Sequence, residues 1–158
     1  MSYYNPYEVA GFHSCDKEVG MRILNGQDDL IMSDNTWDWL GNGIYFWEQN
    51  PLRAVEYANE CATGTQKNKT RIKTPFVLGA TIRLGKCLNL IEPQSILALN
   101  EAYDGLASLY NAAGRDLPIN VGANRRLDCA LFQKASPFSP VLISVRGFIL
   151  KFALSTLP

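Results

Sequence analysis

Eleven consecutive residues, Trp37-Asp38-Trp39-Leu40-Gly41-Asn42-Gly43-Ile44-Tyr45-Phe46-Trp47, constrain this chain more than any other stretch. They hold all three of its tryptophans, together with Tyr45 and Phe46. Side chains of that size in one segment must either pack into a core or wall a cleft. Gly41-Asn42-Gly43 tolerates positive φ, so the chain can turn there and approach another group closely. Ile44 to Trp47, β-branched and aromatic, reads as a short strand. Taken alone, the stretch is a hairpin packed into the core. A turn feeding an aromatic strand also suits the wall of a site for a flat ligand.

A chain of 158 residues fits one domain with a sizeable core. Its 47% apolar and 19% charged residues are those of an ordinary globular protein. Fifteen basic residues balance fifteen acidic ones, so no global field attracts nucleic acid or an anionic membrane. Cys15, Cys61, Cys87 and Cys129 form no CxxC pair, and His13 is the only histidine. That argues against a metal site and for free thiols in a reducing compartment. The start, Met1-Ser2-Tyr3-Tyr4-Asn5-Pro6, lacks the basic and apolar regions of a signal peptide, and no apolar run is long enough to span a bilayer. The expected location is cytoplasmic.

Along the chain, Val9 to His13 reads as a strand. Asp16 caps a helix through Glu18, Val19, Met21, Ile23 and Leu24 that ends at Asn25-Gly26. Gln27 to Asn35 is a connection with one short strand. Asn50 and Pro51 open a helix with Leu52, Val55, Ala58 and Ala62 as its apolar stripe, ending near Gly64. Thr65 to Thr74 carries Lys67, Lys69, Arg71 and Lys73 and reads as a solvated loop. Phe76 to Leu84 is nearly apolar and reads as a central strand. Gly85-Lys86 follows as a turn, and Cys87 to Ile91 as a second strand. Pro93 opens a helix through Ile96, Leu99, Tyr103, Leu106 and Tyr110 to Gly114. Arg126 to Lys134 fits a helix or a strand. Val141 to Leu154 is strand-like, interrupted at Arg146-Gly147. Strands mixed with three or four helices make an α+β domain.

The chain has no P-loop and no GxGxxG. His13 stands at a strand-to-helix junction, where side chains commonly reach into a cleft. Its imidazole can hydrogen-bond a ribose hydroxyl, and neighbouring backbone amides can hold a carboxamide. Tyr45 and Tyr57 can flank a planar ring.

Phe12-His13-Ser14-Cys15, a short helix, Gly41-Asn42-Gly43-Ile44-Tyr45-Phe46 and a helix bearing Tyr57 follow one another in this order. Over about Gly11 to Ala58 the chain resembles the ADP-ribosyltransferase catalytic domain of the poly(ADP-ribose) polymerase type. This is the diphtheria-toxin-type, His-Tyr-Glu class, and the likeness is to a small bacterial relative. The resemblance implies split antiparallel sheets with flanking helices and an NAD cleft between them. NAD is then the substrate, with no metal and no membrane partner. The implied activity is mono-ADP-ribosyl transfer to a protein, nucleic acid or small molecule, with release of nicotinamide, as in a bacterial toxin or effector. His13 would bind the adenosine-side ribose, and the backbone at Ser14 would hold the nicotinamide amide. Gly43 would let the strand pass close to NAD, Tyr45 would line the nicotinamide pocket, and Tyr57 would stack on the ring. The tryptophans would pack around them.

Two departures qualify the match. Ser14 stands where the family usually has Gly. The family also places a Glu, or another residue such as Gln, on a late strand, where it would bond the nicotinamide ribose as an oxocarbenium-like transition state forms. After Asp128 this chain has no carboxylate side chain, and its last glutamine is Gln133. Asp128 is the substitute catalytic group to expect beside Tyr45; its other role would be as a partner of Arg125 or Arg126. The sequence predicts one domain over 1–158, truncated or altered after about 147. The alternative function is an inactive module of the same fold that binds NAD, ADP-ribose or a protein. A nucleic-acid-binding module would have only the basic stretch 67–73 to stand on.

Overall fold

The structure, a computed structural model, describes residues 4–64, 72–135, 142–145 and 149–152. Asp16 joins its first three elements. It ends strand β1 (Tyr4–Asp16) and caps helix α1 (Lys17–Leu24), accepting the Glu18 N–H on Oδ1. Its Oδ2 accepts the N–H groups of Lys73 and Thr74, at the entry to strand β3 (Pro75–Asn89). These three backbone donors hold the Asp16 carboxyl below the usual carboxylate range. Strand β2 (Ile44–Glu48) leads into helix α2 (Pro51–Thr63), capped by Asn50 and closed at Gly64 as the sequence predicts. Helices α3 (Pro93–Ala112) and α4 (Arg126–Ala135) and strands β4 (Leu142–Val145) and β5 (Ile149–Phe152) follow. The 126–134 segment, open to either assignment from sequence, is therefore helical.

The chain is α+β, as expected. Its strands close into one ring in the order β1-β2-β5-β4-β3, where two split antiparallel sheets were expected. All neighbours run antiparallel except β3 and β4. The cause lies at Gly85, which was expected to turn the chain. Its φ is 48°, and it sits opposite Asn5, where the register of β1 slips between Asn5 and Glu8. The strand bends there and continues. It can then pair with β1 along its first part and with β4 from Cys87↔Leu142 to Asn89↔Ser144.

Alternation along β2 divides the molecule. Ile44 and Phe46 are buried with Val9, Ile82, Leu84 and Cys87 in one cluster, which Leu30 covers. Tyr45, on the other face, packs with Leu40, Phe132, Leu88, Leu90 and Leu99, bringing α3 and α4 onto the sheet. Helix α2 buries Ala54, Ala58 and Cys61, not the expected Leu52 and Val55, which are exposed. Small side chains at i, i+4 and i+7 let the helix lie close against β1 and β3, so the larger pair is left outside. The strand expected within 27–35 reduces to one bridge, Ser33↔Gly43, with N–H···O bonds of 2.9 and 3.0 Å.

Lys67, Lys69, Arg71 and residues 146–148 lie outside the described residues. No disulfide joins the four cysteines. Among the described residues no helix is long and apolar enough to cross a membrane.

Candidate functional site

A cavity of about 460 Å³ opens between the end of β1, the 31–39 connection, β2 and α2. Small-molecule sites span roughly 300–1,000 Å³ and combine apolar walls with a few polar groups. This one is lined by His13, Ser14, Gly43, Tyr45 and Tyr57, all five residues expected to contact NAD. The pairing Phe12↔Trp47 brings β1 and β2 together there, and α2 then delivers Tyr57.

His13 Nδ1 lies 2.8 Å from the Tyr45 carbonyl oxygen. A carbonyl can only accept, so Nδ1 carries the hydrogen and the neutral ring keeps Nε2 as an acceptor. Burial lowers the His13 pKa from its ordinary 6.5, against the smaller opposing effect of the carbonyl. The ring lies 5.6 Å from that of Phe46, tilted by 57°. This makes a checkable pH dependence. Below 6.5 the unfolded chain takes up a proton that the folded ring resists. The His13 contribution to stability is therefore full above 6.5, falls as the pH drops toward the lower folded-state value, and levels off below it. His13 is the only histidine, so His13→Gln is expected to flatten the melting temperature across this window.

The Ser14 hydroxyl donates to the Ala54 carbonyl at 2.7 Å, fastening β1 to the first turns of α2. The serine that stands in for glycine thus has a place for its side chain. Gly43 is buried and bonded to Ser33 in both directions. Tyr45 donates its hydroxyl to the Gly41 carbonyl at 2.6 Å. Burial and the nearby Asp38 carboxylate raise its pKa, so Tyr45 is a fixed neutral wall. Tyr57 packs against Trp47 with ring centres 5.8 Å apart. The Arg53 guanidinium lies 4.9 Å from the Trp47 ring centre and 5.9 Å from that of Tyr57. It is also paired with Glu60 at 2.8 Å and Glu56 at 3.6 Å.

Two expectations change. The tryptophans do not merely pack around the site, because Trp37, Trp39 and Trp47 all line it. Asp128 does not line it. It lies on α4, where Arg125 Nε donates to it at 2.8 Å and Asn120 Nδ2 at 2.7 Å. A carboxylate three residues from an arginine on a helix finds its partner locally. The carboxylate that does line the cavity is Asp38, 9% exposed. Its Oδ2 accepts the Ser33 hydroxyl and, at 2.8 Å, the Asn35 N–H. Sequence reasoning passed over Asp38 because it stands between two tryptophans. The available signal was its spacing from Asn35, which lets a carboxylate turn back on the N–H three residues earlier.

Among the described residues no group of three His, Cys, Asp or Glu could hold a metal ion. No protein-family model, no curated protein and no solved structure matches this chain.

Proposed function

We propose that this protein binds NAD in the aromatic cavity and transfers its ADP-ribosyl group to an acceptor, releasing nicotinamide. The fold would then be of the ADP-ribosyltransferase type, its ring of strands corresponding to that family's two sheets. The observation that carries this reading is the convergence of His13, Ser14, Gly43, Tyr45 and Tyr57, from three separate segments, on one cavity. Each supplies something NAD requires. His13 offers a neutral acceptor to a ribose hydroxyl. Tyr45, Tyr57 and the tryptophans offer flat faces to the nicotinamide ring and exclude water from it. Holding the ribose and the ring at fixed separation prepares the bond between them for cleavage.

One observation favours a second reading, an NAD- or ADP-ribose-binding module without turnover. Strand β5, the neighbour of β2, is Ile149-Leu150-Lys151-Phe152 and carries neither Glu nor Gln.

The test uses NAD labelled on its adenylate, following nicotinamide release and label transfer together. Release of nicotinamide with transfer of label is expected. In Tyr57→Ala the affinity for NAD should fall about tenfold, the range of a lost base–aromatic stack. Saturable binding without turnover would select the module, and an absence of NAD binding would overturn both readings.

A further inference from the structure

The cavity is electrostatically one-sided. Among the described residues no lysine or arginine lines it, and His13 there is held toward its neutral form. Among the described residues Asp38 is its only acidic side chain. Three tryptophans and two tyrosines line it, and rings of this kind carry negative charge on their faces. Arg53 lies against the Trp47 and Tyr57 rings, but Glu60 and Glu56 already balance its charge. Among the described residues no salt bridge involves Asp38. A carboxylate so nearly enclosed is costly unless a cation meets it. Its two hydrogen bonds, from Ser33 and Asn35, both fall on Oδ2, which fixes the group while leaving Oδ1 to a ligand.

We infer that the counter-ion of Asp38 is the ligand, and that the cavity selects a cationic aromatic ring, the pyridinium of oxidised NAD, over the neutral ring of reduced NAD or free nicotinamide. This rests on the NAD reading and adds a charge specificity and a residue to it. It also gives Asp38 a part in the reaction. When the bond from ribose C1′ to the ring nitrogen breaks, its electron pair leaves with the nitrogen and the ring becomes neutral nicotinamide. The positive charge passes to the ribosyl C1′–O4′ unit. The acceptor's lone pair then forms the new bond to C1′, and the acceptor's proton goes to solvent. Asp38 faces a cation in the substrate and in the transition state, and none in the departing product. Neutral nicotinamide is therefore no longer held.

The experiment uses the uncleavable carbocyclic analogue of NAD and its reduced form, titrated calorimetrically into the purified full chain. The native protein is expected to bind the oxidised form at least tenfold tighter. Asp38→Asn, which keeps an oxygen for the Asn35 N–H, should bring that ratio toward one by weakening the oxidised form alone. Asp38→Glu and Ser33→Ala, which keep the charge, should keep a preference for the oxidised form. Equal affinities in the native protein overturn the inference without any variant, and so does a ratio that survives in Asp38→Asn. If the native protein binds neither form but cleaves NAD, the charge inference falls and the functional reading stands. If it neither binds nor cleaves NAD, both fall.

Discussion

Leu40→Ala is expected to destabilise the fold by about 3 kcal/mol, the middle of the range for a fully buried leucine cut to alanine. Leu40 is 0% exposed and packs with Phe132 of α4 and with Tyr45, Leu88, Leu90 and Leu99. Removing its isobutyl group leaves a void that neighbours on four elements, β2, β3, α3 and α4, cannot close together. For a chain of this length, about 3 kcal/mol lowers the melting temperature by roughly 6–12 °C. The effect should reach the site, because Leu40 lies between Trp39 and Gly41, whose carbonyl fixes the Tyr45 hydroxyl. On the proposed reading, NAD affinity should fall at a temperature where the variant is still folded. Leu52→Ala is the control. Leu52 is 75% exposed, so its loss should stay within about 0.5 kcal/mol. A Leu40 variant that melts like the Leu52 variant would mean that this cluster does not support the aromatic wall.

The contrast between these two leucines shows what could be read along the chain. Asp16 and Asn50 cap their helices through backbone groups two and three residues on, and Pro51 opens α2, as their positions predict. Leu52 looked like a core residue because helical periodicity ranks side chains by apolarity. The sheet instead accepts the face with the smallest side chains, Ala54, Ala58 and Cys61, and that choice belongs to the partner surface. Gly85 fails as a turn for a related reason. Whether a left-handed residue reverses a strand or bends it depends on the strand beside it, here β1 at Asn5. Nothing local announces the parallel pairing of β3 with β4 that helps close the ring. At the site, His13, Tyr45 and Tyr57 were legible as chemical types at a recognisable spacing. Asp38 was not, because its meaning comes from the cavity into which the 31–39 connection folds it. For Asp128 the pairing with Arg125, one of its two expected roles, is the one the structure shows, and the fold adds Asn120.

The core behind the site is filled to its limit, and Gly11 tests this. Gly11→Ala should cost about 2 kcal/mol, in the range for an added methyl in a packed core. A Cβ at Gly11 would lie 2.4 Å from Ile82 Cδ1 and 3.1 Å from Phe46 Cβ. The end of an isoleucine can usually rotate away. Ile82, however, is only 9% exposed and enclosed by Val9, Ile44, Phe46 and Leu84. Ile82→Val removes the clashing Cδ1 and should cost about 1 kcal/mol by itself. If the methyl and Cδ1 compete for one space, the double variant is more stable than the sum of the two single effects by about 1 kcal/mol or more. Denaturant unfolding of the four proteins measures that coupling. The same cycle reports on the site, because the Phe46 ring that the new methyl would press is the one beside His13. On the proposed reading, Gly11→Ala should weaken NAD binding, and Ile82→Val should restore part of it. Strictly additive stabilities would show that the strain is relieved elsewhere, and that the glycine before Phe12-His13 does not serve to keep Phe46 in place.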